Sequence, residues 1–331
     1  MFNVILYGAP VVPFAHELPS RLKTDWQIFK VDELSSSKDK TDAFAAADAV
    51  IAVDYGHDIP PAPHLKMVHV PGAGCDGIIN EALPPGAALC IVHKHVKGVA
   101  EFVIMAMLQW NLRYMEAVRS FRAGSWERSS RFGAEPQSEL GGKTVGIVGL
   151  GRIGQTLARY VKTFGSRVVA ANYSRFLDGD KPEFVDEVFP LSEVVRVAGQ
   201  CDFLVVCAAL TEHTKGLIDE AVFEAMSATA VLINVARGPL VNEDALYHAV
   251  TTGSIAGAAI DVWYNYPDSA HADVPPSKHR FDLLANVYMT PHVAGWTKET
   301  VSRRWDFIAD NLDRLALGHE LRGIVFQRSY T

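Results

Sequence analysis

Four short stretches carry side chains able to do chemistry together. Gly149-Leu150-Gly151-Arg152-Ile153-Gly154 is a G-x-G-x-x-G run that follows an apolar stretch, "VGIVG", and opens a helical one, "QTLARYVKTFG". In that setting Gly149 permits a tight turn and Gly151 lets the backbone approach a pyrophosphate. Gly154 lets helix and strand pack closely, with the phosphates at the helix N-terminus. Downstream, Arg237 ends "INVAR", Asp261 ends "GAAID" and His292 lies in "TPHVAG", each just past an apolar run. A guanidinium there suits a carboxylate or an oxyanion through two parallel hydrogen bonds. A histidine there suits proton transfer to or from a hydroxyl. Taken singly, Arg237 reads equally well as half of an ion pair and His292 as a satisfied loop histidine. Their joint placement after a dinucleotide loop points to catalysis.

The adenosine end of the cofactor is read from the next strand. An Asp or Glu about 20 residues past the loop commonly grips the ribose 2′-hydroxyl. Here that region runs "RVVAANYSRF" and puts Asn172 in the slot, followed by Ser174 and Arg175. No carboxylate repels a 2′-phosphate. Asn172 and Ser174 can hydrogen-bond one and Arg175 can pair with it. The expectation is therefore NADP(H) ahead of NAD(H), with Arg175 as a solvated loop arginine the alternative.

These residues need a scaffold, and the pattern of apolar runs supplies one. "NVILYG", "WQIFKV", "DAVIAV", "LKMVHVPGAG" and "ALCIVH" are strand candidates separated by polar, helix-like pieces. Such alternation predicts a parallel sheet covered on both faces. One long apolar-periodic helix is predicted from Lys97 to about Gly124, its Met and aromatic stripe reading as packing. A second series, "TVGIVG", "SRVVAANY", "DFLVVCA", "AVLINVA", "SIAGAAIDV" and "VYMTPHV", predicts a second doubly wound unit of six strands. A final helix, "KETVSRRWDFIADNLDRLALG", follows, and the tail "GIVFQRSYT" is expected to pack back on the first domain. Residues 35–40 and 268–280 are the expected surface loops.

Bulk properties bound the function. A length of 331 residues is enough for two domains. The net charge of −7 argues against nucleic acid, which selects a basic surface. No stretch is apolar and long enough to be expected to span a membrane. The opening "MFNVILYGAP" lacks a basic segment and reads as a strand rather than a signal peptide. Cys75, Cys90, Cys201 and Cys207 show no CxxC spacing, so reduced thiols in a cytoplasmic protein are expected.

The chain resembles the D-isomer-specific 2-hydroxyacid dehydrogenase family over nearly its whole length. "VGIVGLGRIGQTLA", "CAALTEHTKGLID", "LINVARGPLVNEDAL", "GSIAGAAIDVW" and "PHVAG" occur in that family's order and spacing. "VPGAGCDGI" resembles its substrate-domain loop and "GVAEFVIMAML" the helix that enters its cofactor domain. The resemblance implies an α/β protein of two doubly wound parallel-sheet domains. A discontinuous flavodoxin-like substrate domain would take residues 1–95 and 297–331, and a Rossmann cofactor domain residues 96–296, with the active site in the cleft. It also implies hydride transfer between a nicotinamide cofactor and a D-2-hydroxy or 2-keto acid, and a homodimer. Gly149, Gly151, Arg152, Ile153 and Gly154 would line the pyrophosphate, and Asn172, Ser174 and Arg175 the adenosine ribose. Cys207, Ala208, Val235, Ala236, Arg237, Asp261, His292 and Gly295 would line the rest of the cofactor path, with Asp261 near the nicotinamide amide. Ala73, Gly74 and His95 would meet the substrate. Arg237 would hold its carboxylate and reacting oxygen, and His292 would be the acid/base.

One slot departs from the family. Its members usually carry a glutamate five residues after the equivalent of Asp261, paired with the histidine; here Tyr266 stands before Pro267. A carboxylate would raise the histidine's pKa, whereas a neutral phenol only orients the ring. Tyr266 is therefore counted with Arg237 and His292 among the candidate catalytic residues. Asp268 is the other acid within reach of that slot. Formate dehydrogenases of the same superfamily carry a neutral glutamine there, but they have an asparagine where this chain has His95. The alternatives to 2-keto acid reduction are hydride transfer from a small anion such as formate and a non-enzymatic dinucleotide-binding role. His93 and His95 share a strand face with no third ligand evident, so no metal site is expected. Cys75 reads as a pocket residue or, equally, as a small buried one.

Overall fold

Short apolar runs, many of them closed by Gly, Pro, Asn or Asp, set the strands of two mainly parallel sheets. The structure is a computed structural model describing residues 1–32, 35–173, 176, 181–267 and 273–329. The chain divides into two units, residues 1–95 with 297–331 and residues 96–296.

The first unit holds β1 (Phe2–Tyr7), β2 (Trp26–Val31), α1 (Ser37–Ala46), β3 (Ala49–Ile51), β4 (Met67–His69) and β5 (Ala88–Cys90). The second holds α2 (Val96–Leu112), α3 (Tyr114–Arg122), β6 (Thr144–Val148), α4 (Arg152–Thr163), β7 (Arg167–Asn172), β8 (Glu187–Pro190) and α5 (Val194–Ala198). It continues with β9 (Phe203–Val206), α6 (Glu220–Ala225), β10 (Val231–Asn234), α7 (Glu243–Thr252), β11 (Gly257–Ile260) and β12 (Val287–Met289). The chain then returns to the first unit with α8 (Lys298–Ala316) and β13 (Ile324–Gln327).

In the first unit the strand order is β13-β5-β4-β3-β1-β2. All pairs are parallel except β13 on β5, where the tail "IVFQ" runs antiparallel along the edge. Without that edge strand the order is 2-1-3-4-5, the flavodoxin-like arrangement. Val4, Ile5 and Leu6 are all fully buried, as strands covered on both faces require. One face packs on Phe44 of α1, the other on Trp305, Ile308 and Leu312 of α8. His69 closes β4 and is wholly buried. Its Nδ1–H donates to Val70 O at 3.0 Å and its ring stands edge-on to Phe307 of α8. Its Nε2 has no hydrogen-bond partner among the described residues. Burial pushes this imidazole down to about 4.

In the second unit the order is β12-β11-β10-β9-β6-β7-β8, parallel throughout. Counted within the unit this is 3-2-1-4-5-6-7, the dinucleotide-binding order with one strand added. It has seven strands where the sequence pattern predicts six. The extra one is β8, the run "EVFP", only partly buried and ending in Pro190. It lies at the sheet edge, where a proline's missing N–H is tolerated.

The single helix expected over residues 97–124 is broken. Arg113 adopts left-handed φ of 45° between α2 and α3. The cause lies beside it. Ser138 N–H donates to Asn111 O at 3.2 Å, and Asn111 Nδ2 donates to Glu139 O at 3.1 Å. The carbonyl a continuing helix needs is thus taken by another segment. α2 buries Val99, Val103, Ala106 and Met107, whereas α3 buries no residue.

Candidate active site

The strand β6 ends in the glycine loop, and each glycine there has its own reason. Gly149 has φ of 96°, and a Cβ on it would lie 2.6 Å from the backbone of Ala208. A Cβ on Gly154 would lie 2.3 Å from Gly149 O, so α4 can pack on the turn only without one. Around Gly151 a Cβ would meet nothing within 4 Å. Gly151 is the N-cap of α4 and gives it no side-chain cap, so the first-turn N–H groups keep their capacity for an anion. Arg152 is exposed and Ile153 half-buried at that turn. These features fit a dinucleotide pyrophosphate.

Asn172 ends β7 as expected, but its side chain turns back to the loop: Leu150 N–H donates to Asn172 Oδ1 at 3.1 Å. Gln155 Nε2 donates to Leu150 O at 3.1 Å from the other side. Ser174 and Arg175 lie outside the described residues, as does Asp268. Cys207 and Ala208 follow β9, and Cys207 N–H donates to Val148 O at 2.8 Å. Burial pushes the Cys207 thiol up to about 12, so it is a neutral thiol rather than a nucleophile.

The catalytic candidates follow three neighbouring strands. Arg237 comes three residues after β10, Asp261 directly after β11, and His292 three after β12. β10, β11 and β12 pair side by side, so the topology gathers all three at the carboxyl edge of one sheet. The turn carrying Arg237 is built by buried Asn234, which accepts from Ala236 N–H at 3.1 Å and donates to Arg237 O at 2.9 Å. Val235 is buried beneath it and Ala236 partly so. Gly238 follows because a Cβ there would lie 2.3 Å from Trp263 O.

Asp261 is 1% exposed, and its carboxylate gathers the histidine loop. Oδ1 accepts from Thr290 Oγ1 at 2.6 Å and Val293 N–H at 2.8 Å; Oδ2 accepts from Ala294 N–H at 2.9 Å. These bonds bracket His292, whose φ of 58° is left-handed. Trp263 braces the same loop by donating Nε1–H to Thr290 O at 2.9 Å. Gly295 is half-buried just beyond.

Tyr266 reaches the histidine: its Oη lies 3.0 Å from His292 Nδ1, and Trp263 N–H donates to the same Oη at 3.2 Å. Both rings keep an open edge. Burial, then the positive charge of Arg237, holds the His292 pKa below its ordinary value, against an opposing pull from Asp261. Burial holds the Tyr266 phenol above its ordinary range. Both groups are therefore uncharged near neutrality. Asn234, Thr290 and Trp263 escape the sequence reading. The one visible signal is Asn234, a polar residue inside the apolar run "VLINVA".

Ala73, Gly74 and His95 belong to the first unit. Ala73, Gly74 and Cys75 are half-buried in the loop after β4, tied at Gly72 O by Val92 N–H at 2.8 Å. His95 follows β5.

Residues 104–294 match the family described as "D-isomer specific 2-hydroxyacid dehydrogenase, NAD binding domain". The chain is 35% identical over 261 residues to a glyoxylate reductase of Korarchaeum cryptofilum, covering 76% of this chain and 73% of that protein. It is 34% identical over 271 residues to a D-3-phosphoglycerate dehydrogenase of Archaeoglobus fulgidus, covering 81% of this chain. It spans about half the length of that relative, 48%. Among solved structures, an NADPH-dependent glyoxylate/hydroxypyruvate reductase of Sinorhizobium meliloti, in complex with NADP and malonate, is similar at a TM-score of 0.77. The identity there is 26%, covering 100% of this chain and 99% of that one.

Proposed function

The chain belongs to the D-isomer-specific 2-hydroxyacid dehydrogenase family, and on that premise we propose that it reduces a small 2-keto acid, of glyoxylate or hydroxypyruvate size or a bulkier relative. It is an NAD(P)-dependent enzyme. The observation that carries the reading is the alignment of Arg237 and an Asp261-bracketed His292 at the ends of adjacent strands. When bound, the dihydronicotinamide supplies a hydride. The first turn of α4 and Gly151 hold the pyrophosphate, and Cys207, Ala208, Val235 and Ala236 line the path beyond. Arg237 binds the substrate carboxylate and polarises the reacting oxygen. His292 faces that oxygen with Nε2 and supplies its proton. Ala73, Gly74 and His95 are assigned to the substrate by resemblance alone.

NADPH is the preferred donor in this reading, since β7 ends in Asn172 rather than an acid. Cys90, Cys201 and Cys207 are free thiols, which suits a reducing cytoplasmic setting. Among the described residues no helix is long and apolar enough to cross a membrane. The exposed Tyr114, Met115, Phe121, Trp126 and Phe132 on and after α3 favour a homodimer through that face.

The test is a panel of 2-keto acids with NADPH and NADH in parallel, read as cofactor depletion. Turnover is expected with at least one member, faster with NADPH. A blank panel with both cofactors sinks the assignment. The uncharged partner of His292 favours a second reading, oxidation of an anion such as formate. Failure of formate to reduce either oxidised cofactor removes it.

A further inference from the structure

The direction of the hydrogen bond between Tyr266 and His292 can be assigned, and it has a chemical consequence. A phenol has one O–H and, in the plane of its ring, one good acceptor direction. Trp263 N–H takes the acceptor direction of Tyr266 Oη at 3.2 Å. The hydroxyl proton is then directed at His292 Nδ1, 3.0 Å away. Nδ1 must accept, so the neutral ring carries its proton on Nε2. A carboxylate at 266 would impose the opposite, since it only accepts and needs Nδ1–H as donor.

We propose that Tyr266 holds His292 as the neutral Nε2–H tautomer and refills it, so that two protons move in one relay during reduction. This rests on the functional reading above. When the carbonyl carbon gains hydride, its oxygen takes the proton from His292 Nε2. Nδ1 takes the proton from Tyr266 Oη, leaving a neutral imidazole again, now the Nδ1–H tautomer. Burial and Asp261 disfavour the phenolate left behind, Trp263 N–H and the positive field of Arg237 partly offset them, and it recovers a proton from water at its exposed edge. The charges that bear on His292 are Arg237, after β10, and Asp261, after β11, whose two oxygens are occupied by Thr290, Val293 and Ala294. Neither donates a proton to Nδ1. An extra proton on His292 would have to enter at Nδ1 and would face the Tyr266 hydroxyl proton. The pair therefore disfavours the imidazolium, in the same direction as burial and Arg237. Tyr266 acts through His292 and is a positioning and relay residue.

Long-range proton–nitrogen correlations on ¹⁵N-histidine-labelled protein, free of cofactor and substrate, read the tautomer directly, with His292→Asn assigning the signals. The wild type is expected to show Nε2–H with bare Nδ1 between about pH 7 and 9, and Tyr266→Glu to show Nδ1–H. Nδ1–H in the wild type overturns the proposal. Rates in mixed light and heavy water read the relay. A curved, two-proton dependence is expected in the wild type and a straight line in Tyr266→Phe, with the neutral-pH rate of that variant lower by about tenfold. A straight line in the wild type overturns the relay. If no 2-keto acid turns over, the functional reading fails while the nitrogen spectra still decide the tautomer.

Discussion

At position 266 the choice between phenol and carboxylate decides the charge of the neighbouring ring. His292 already sits below its ordinary pKa through burial and Arg237. A glutamate would stabilise the imidazolium and make it the sole acid, so Tyr266→Glu should move the alkaline fall of the reduction rate downward, from loss of the phenol proton to loss of the imidazolium proton. The sign follows because the Tyr266 relay works from a neutral ring and a phenol held above its ordinary range, whereas a carboxylate leaves Nε2 bare once the imidazolium proton is lost. A profile of kcat/KM against pH that does not move counts against this pairing. Asp261 acts on the same ring through the backbone. Asp261→Asn puts an NH2 against either Ala294 N–H or the Thr290 and Val293 donors. It should cost about 1–3 kcal/mol of stability, seen as a lowered Tm, and lower kcat. An unchanged Tm would show that the three bonds do not hold the loop. Because His292 is left-handed, His292→Asn is the substitution that removes the proposed acid while suiting that backbone.

The elements show which parts of this could be read from sequence. Strand ends carrying Arg237, Asp261 and His292 are legible because buried parallel strands are continuous apolar runs with abrupt polar ends. β8 is not, because a half-buried edge strand ending in Pro190 lacks that contrast. The break at Arg113 is decided by Ser138 and Glu139, more than twenty residues away, and no local pattern records it. Trp263 and Thr290 escape for the same reason: their partners lie 27 and 29 residues off. The glycine loop allows a paired test. Gly151→Ala has open space and a compatible φ, so Tm should hold while the NADPH Kd rises about tenfold or more. Gly154→Ala drives a Cβ into Gly149 O and should cost about 1–3 kcal/mol by thermal melting. Equal Tm for the two variants would contradict the packing argument. β4 carries an acid limit of its own. His69 takes its proton near 6.5 when unfolded and at about 4 when folded. Stability from this burial is complete above the first value and drains as pH falls toward the second, by roughly 3 kcal/mol. His69→Phe should flatten that acid loss in melts across the range, and an equally steep loss would place the acid limit elsewhere.

At the scale of the whole chain, the sheet orders 2-1-3-4-5 and 3-2-1-4-5-6-7 follow from alternating apolar and helical runs, and the position of the dinucleotide loop marks which is which. The partner of the exposed α3 face is not written in any spacing. Sedimentation should give a dimer, and Phe121→Asp should shift it toward monomer without lowering kcat by more than about twofold, since α3 buries nothing of its own. A wild-type monomer would leave that aromatic surface to another role.

The interrupted first unit has a consequence in time. Residues 96–296 form one unit from one unbroken stretch, so they can fold as soon as they are made. The sheet that precedes them cannot finish. The face bearing Val4, Ile51, Met67 and Cys90 is covered by Trp305, Ile308 and Leu312, and its edge is closed by β13. The part synthesised first is thus completed last. An apolar sheet face stays only partly covered, by Val11, Ala15 and Leu18, through the making of some two hundred residues, ten seconds or more at roughly 5–20 residues per second. Nascent-chain chaperones that shield apolar surface would have their longest period of work here on residues 1–95, not on the cofactor unit.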